Sequence, residues 1–286
     1  MFHERAAALD AADPLGHLRA GFLTPQEPLI AYFDGNSLGR PLVSTADALA
    51  RFISGPWGTG LIRSWGEQWL DWPMQLGDEL GRLMLGAAAG QILIADSTTV
   101  LLYKMLHAAI DAHPTRTTIL VDEGNFPTDR YLAEAVAAQR GLTLRWIAPP
   151  NGSDLDPALI ADALDETVAT VLLSHVSYLS AQITDMAAIT AVAHAHGASV
   201  IWDLSHSVGL LPVALDACKV DYAVGCTYKY LNGGPGSPAF AYVNARHLAE
   251  FSQPIWGWLG RRDAFEMEQG FHPADGIRRL TSGTPP

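Results

Sequence analysis

Seven short runs of apolar and β-branched residues recur between positions 91 and 243, and helical patterns fill the spaces between them. The predicted strands are Gln91 to Ala95, Thr117 to Val121, Thr143 to Ile147, Val168 to Ser174, Ala198 to Asp203, Tyr222 to Gly225 and Ala239 to Val243. Runs such as VATVLLS and ASVIWD are apolar nearly throughout, the pattern of strands covered on both faces. Helical stretches are predicted at about Thr98 to Asp111, Thr128 to Arg140, Pro157 to Leu164 and Met186 to His196. Pro157 after Asp156 reads as a start signal, and Gly141 and Gly197 as stops. Strand and helix in alternation predict an α/β domain with a mostly parallel central sheet flanked by helices.

The first ~90 residues differ, being helical in pattern, punctuated by Gly and Pro, with one apolar run from Leu29 to Phe33. The expected division is an N-terminal helical and irregular segment over 1–60, followed by a large domain over 61–286. The chain has 49% hydrophobic and 17% charged residues, a globular balance. Its net charge of −12 repels phosphate backbones and anionic lipid, so nucleic acid and membrane are not expected partners. Two cysteines, Cys218 and Cys226, support neither a disulfide framework nor a zinc site, and no metal is expected. No apolar run reaches the ~18 residues of a membrane span. With no signal-peptide pattern at Met1 to Leu9, the expected location is the cytoplasm.

Standard phosphate-loop, dinucleotide and HExxH signatures are absent. Gly35-Asn36-Ser37-Leu38-Gly39 matches the pattern of a serine-hydrolase elbow, yet Arg40-Pro41 follows where an elbow needs a helix. A glycine-rich turn near a ligand is the better reading. A second constellation is spread along the strands. Asp203 ends the run ASVIWD, at the edge where open α/β sheets place ligands. Lys229 follows within Thr227-Tyr228-Lys229-Tyr230, between an apolar strand and a glycine-rich loop. Desolvation there lowers a lysine's proton affinity and leaves an amine able to form an imine.

A lysine for an imine and a carboxylate for a pyridine nitrogen are two requirements of pyridoxal 5'-phosphate. The cofactor also needs an aromatic face and an anion site at a helix N-terminus. Phe126 begins one helix and supplies the face, and Asp96-Ser97-Thr98-Thr99 precedes another and suits the phosphate. Singly, each of these also reads as core or an ordinary cap.

In order along the chain stand FDGNSLG, ADSTT, DEGNFPTDRY, SHVSYLSAQITDM, WDLSHSVGLLPV and CTYKYLNGGPG. This order resembles the kynureninases, within the fold-type-I, class-V-aminotransferase-like enzymes, over nearly the whole chain. His206, where relatives usually carry Gln, and Tyr228, where they carry His, separate this subgroup from the cysteine desulfurases. By matching motif, Lys229 resembles the Schiff-base lysine and Asp203 the carboxylate on the pyridine nitrogen. His206 then supports the cofactor beside Asp203, and Phe126 stacks on the ring. Thr98 and Thr99 hold the phosphate, while Asp129 and Ser174 add polar contacts. Tyr228 resembles the tyrosine that binds phosphate and moves a proton. Trp258 and Thr284 match positions that complete the pocket of the neighbouring subunit in a homodimer.

The resemblance implies hydrolysis of a kynurenine-like amino acid, L-kynurenine or its 3-hydroxy form, to an anthranilate and L-alanine, a step of tryptophan catabolism and NAD biosynthesis. Lys229 then acts as base at Cα, and Tyr228 returns a proton to Cβ. The apolar slot for the aryl ring is expected from Trp65, Trp69 and Trp72, or these simply pack. Family members continue into a C-terminal small domain with an arginine for the substrate carboxylate. That domain is expected to be missing beyond Pro286, and Arg278 or Arg279 are the substitutes to examine. Two alternatives stay open: a related aminotransferase or lyase with the same cofactor, and an inactive truncated fragment.

Overall fold

A computed structural model describes residues 1–26, 29–149 and 155–284. Three helices precede the sheet: α1 (Phe2–Ala12), α2 (Ser44–Phe52) and α3 (Trp72–Leu80). α1 and α2 bury none of their residues. The apolar run at Leu29 to Phe33 forms no strand, and Ile30 and Phe33 are exposed. Trp65 and Trp69 lie in a short π-helical turn and Trp72 opens α3, so the three do not share one helix. Trp69 and Trp72 pack on Phe52, with ring centroids 5.6 and 5.9 Å away. They form a local packing cluster.

From residue 92 the strands alternate with helices as the periodicity predicts. The strands are β1 (Ile92–Ala95), β2 (Thr118–Asp122), β3 (Thr143–Ile147), β4 (Val168–Ser174), β5 (Ser199–Asp203), β6 (Tyr222–Gly225) and β7 (Ala239–Val243). Helices α4 (Thr98–Asp111), α5 (Pro127–Arg140), α6 (Pro157–Ala163) and α7 (Met186–Ala195) lie between strands, and α8 (Ala245–Leu248) follows β7. Side-chain caps mark four starts: Ser97, Asp156, Asp185 and Asn244 each accept a backbone N–H of the first turn. Gly141 ends α5 with φ +66°, a conformation that disfavours side-chain-bearing residues.

One seven-stranded sheet results, in the order β1-β7-β6-β5-β4-β2-β3. β7 is antiparallel to both neighbours and every other pair is parallel. Because β1 and β6 both oppose β7, they run the same way as each other. The carboxyl ends of β1, β2, β4, β5 and β6 therefore share one edge. Alternate residues of β5 enter opposite layers. Val200 and Trp202 join a core with Ile160 of α6 and Ile189 of α7, while Ile201 joins one with Leu101 of α4 and Val136 of α5. Covering both faces explains why β4 and β5 are apolar without alternation. Trp202 is held in register by its Nε1, which donates to Thr190 Oγ1 of α7 at 3.1 Å.

At the opposite edge, Asp221 precedes β6 and is nearly inaccessible. Its carboxylate accepts from His194 Nε2 at 2.7 Å, His247 Nε2 at 2.8 Å, Val200 N at 2.9 Å and Arg246 Nη2. It ties α7, β5 and α8 together. No helix among the described residues is long and apolar enough to cross a membrane.

Candidate functional site

The shared carboxyl edge gathers the sequence-predicted residues from separate strands. Lys229 follows β6, Asp203 ends β5, Ser174 ends β4, the Asn125–Asp129 turn follows β2, and Thr98–Thr99 follow β1. Lys229 is 6% exposed, and its Nζ lies 2.7 Å from His206 Nε2. Burial pulls His206 down toward its neutral form, and the adjacent Lys229 charge adds to that, against Asp203 and a hydrogen bond at Asn36. His206 Nε2 is then the acceptor and Lys229 the donor. The same Nζ stands 5.6 Å from the Phe126 ring centroid and 5.7 Å from that of Tyr228.

Beside this amine, Asp129 and Asp203 are both buried and face one another. Burial pushes the Asp129 carboxyl well above the usual range. The Asp203 charge and hydrogen bond push it further, against the pull of Lys229. Asp129 therefore keeps its proton to higher pH than an ordinary carboxyl. Asp203 is anchored by Ser205 N, which donates to its Oδ1 at 2.7 Å, whereas no donor reaches Asp129 Oδ2. A carboxyl raised on folding favours the folded state below its ordinary titration range, and that advantage is lost as pH rises through the folded value. Asp129→Asn removes the dependence. Thermal melts of the ligand-free protein should show the variant gaining on wild type as pH rises above about 4. Parallel pH curves would contradict a raised Asp129.

Tyr228 is pushed up to about 12, first by burial and then by Cys226. The phenol keeps its proton at neutral pH. Ser174 Oγ donates to Asn125 Oδ1 at 2.6 Å, and the same oxygen accepts Phe126 N at 2.7 Å. Asn125 Nδ2 is buried without a partner. The Tyr178 ring meets Phe126 edge-on at 5.2 Å and stacks on His206 at 6.5 Å. Asn125 and Tyr178 were not singled out from sequence, although both lie inside quoted motifs. A buried amide and an aromatic look like ordinary core until their neighbours are known.

The Gly35–Gly39 turn joins the site by its backbone. Gly39 N donates to the Tyr228 carbonyl at 2.9 Å, and a Cβ there would sit 1.9 Å from the Lys229 carbonyl oxygen. Ser37 Oγ donates to Asp34 at 2.6 Å and meets no base, so the turn buttresses the lysine loop.

Two other expected residues lie in the C-terminal segment. Trp258 makes ring contacts with Trp65 at 5.8 Å and Phe265 at 5.6 Å. Thr284 lies in a bend after the last 3₁₀ turn. Arg278 donates to the carbonyls of Leu259 and Arg261, and Arg279 to those of Ala274 and Ala249. Both guanidinium groups brace the C-terminal segment through these bonds.

A model of the class-V aminotransferases matches residues 79–286. The chain is 43% identical over 290 residues to a kynureninase of Burkholderia pseudomallei (strain 1106a), covering 99% of this chain and 67% of that protein. It is 44% identical over 287 residues to a kynureninase of Pseudomonas fluorescens, covering 98% and 66%. The chain thus spans about two thirds of the length of the curated relatives it matches. Among solved structures, a C-DES mutant with glycine covalently linked to its PLP cofactor matches with a TM-score of 0.79 at 22% identity, over 89% of this chain and 66% of the other. The apo cysteine desulfurase of Thermococcus onnurineus NA1 matches with a TM-score of 0.74 at 18% identity, over 89% and 63%. The shared carboxyl edge, the buried lysine and these likenesses converge: the chain belongs to the class-V aminotransferase family and, within it, to the kynureninases.

Proposed function

We propose that this protein hydrolyses L-kynurenine, or its 3-hydroxy form, to an anthranilate and L-alanine with pyridoxal phosphate as cofactor. The observation that carries the reading is Lys229, a buried amine paired with His206 at 2.7 Å and facing Phe126, in a chain 43% identical to a kynureninase. The residues present fit the cofactor. Asn125 Nδ2 and Asp129 Oδ2, on either side of Phe126 in the chain, are buried with no protein partner. That is two polar atoms left for a ligand or water to satisfy.

Lys229 is the residue for the covalent link, Asp203 for the pyridine nitrogen, and Phe126 for the ring face. Thr98 and Thr99, in the first turn of α4, offer backbone N–H groups and hydroxyls for phosphate. When bound, the cofactor supplies an electron sink for the pair released at the substrate's α carbon. The raised Asp129 carboxyl keeps a proton beside Asp203, the group assigned to the pyridine nitrogen. His206, pulled toward neutrality, accepts from Lys229 Nζ and so orients the amine that removes the α proton. The Tyr228 phenol, protonated at neutral pH, is the proton donor to Cβ after water has added to the γ carbonyl.

The rest of the proposal concerns assembly and setting. Trp258 and Thr284 complete the site of a second copy in a homodimer. The enzyme acts in the cytoplasm, in tryptophan catabolism and NAD biosynthesis. Anthranilate fluorescence and alanine analysis on the purified protein, supplied with pyridoxal phosphate and L-kynurenine, test the reaction. Equimolar anthranilate and alanine are expected without any amino acceptor. A requirement for a 2-oxo acid would overturn hydrolysis in favour of transamination.

A further inference from the structure

Lys104 lies two turns into α4 and is fully buried. Its Nζ donates to Asp96 Oδ2 at 2.6 Å and to the Leu280 carbonyl at 2.8 Å. A charged lysine in a helix face otherwise made of Leu101, Leu102, Met105 and Leu106 is an expensive choice. Burial pulls its ammonium down, and only Asp96 opposes that. An apolar side chain of similar volume would stabilise a layer like this at least as well. The pair therefore calls for an explanation other than stability.

Asp96 supplies one. It stands between β1 and the Ser97 cap of α4 with φ +46°, a left-handed conformation uncommon for residues with a Cβ, though Asp adopts it more readily than most. Its carbonyl accepts Ala239 N of β7 at 3.0 Å, and its carboxylate is gripped by Lys104. Backbone and side chain are thus clamped from two sides. Asp96 is followed directly by Ser97, Thr98 and Thr99.

We propose that Lys104 is a positioning residue for the cofactor's phosphate: its ammonium holds the Asp96 turn in the shape that aims the first N–H groups of α4. The proposal rests on the assignment of phosphate to Thr98 and Thr99 made above. Lys104 acts through Asp96 and touches no ligand itself. Its second bond, to Leu280, fastens the C-terminal 3₁₀ turn (Gly276–Leu280) to the same point.

The test compares pyridoxal phosphate with pyridoxal, which forms the same link to Lys229 but has no phosphate. Dissociation constants for both are measured by absorbance on wild type, Lys104→Met and the double variant Lys104→Met/Asp96→Asn. Lys104→Met keeps the side-chain length without the charge. The double variant removes both charges, so neither is left without its counter-ion, and Asn still tolerates a positive φ. In either variant the preference for the phosphorylated form should fall by about tenfold, with pyridoxal affinity held within about twofold. Parallel weakening of both ligands, as general loosening would produce, overturns the role of Lys104, as does an unchanged preference. A wild type with no preference for the phosphorylated form overturns the phosphate assignment itself, a different failure seen before any variant is made.

Discussion

In the Lys229→Ala protein, adding pyridoxal phosphate should give no absorbance band near about 420 nm, and kynurenine turnover should fall by about 10³-fold or more. The size of the effect follows from how little else in the cleft can replace the amine. Lys229 is the group that His206 accepts from and that Phe126 and Tyr228 face. Lys104, the other buried lysine, is committed to Asp96 and Leu280. Folding should survive. His206, its hydrogen-bond partner, is pulled toward neutrality, and Asp203 keeps the Ser205 N–H. A far-ultraviolet dichroism spectrum like that of wild type, with the band lost, is the expected pair of results. A band of undiminished amplitude would show that another residue carries the cofactor.

The largest stability effect is expected far from that cleft, at Asp221. Burial alone would push this carboxyl up, but hydrogen bonds from His194 and His247 outweigh it and hold the group far below the usual carboxylate range. Asp221→Ala leaves three partly exposed basic side chains and the buried Val200 N–H without their acceptor. The loss should be about 3 kcal/mol, tempered by water reaching the basic groups. A fall of about 5 °C in melting temperature is the corresponding reading. The pH dependence has a definite sign. A carboxyl depressed on folding contributes its stability above its ordinary value, and loses it as pH falls through and below that value. Wild type should therefore lose stability below about pH 4 more steeply than Asp221→Ala. Equal acid slopes in the two proteins would rule Asp221 out as the source.

Strand and helix positions were legible in the sequence because local signals agree with the fold. The runs at VATVLLS and ASVIWD mark β4 and β5 to within a residue, and Gly141 marks the end of α5. Motif order along the chain was sufficient to nominate Lys229, Asp203 and Phe126. The Trp65, Trp69 and Trp72 spacing was misleading as a helical stripe. A π-helical turn and a new helix start at Trp72 break the 3.6-residue period there. Nor does a sequence show the backbone carbonyls that Arg278 and Arg279 brace.

Sequence alone determined the alternation of elements, the chemistry each strand end carries, and the family resemblance that Lys229, His206 and Tyr228 support. Those are properties of short segments, set by periodicity, caps and side-chain type. Tertiary structure decided the rest. It put β7 antiparallel between β1 and β6, which brings the Thr98 turn to the same edge as Lys229. It also set Asp129 against Asp203, and Lys104 against Asp96. Such pairings join residues far apart in the chain, or side chains whose charge state depends on burial. Their energies arise only when water has been excluded from between them.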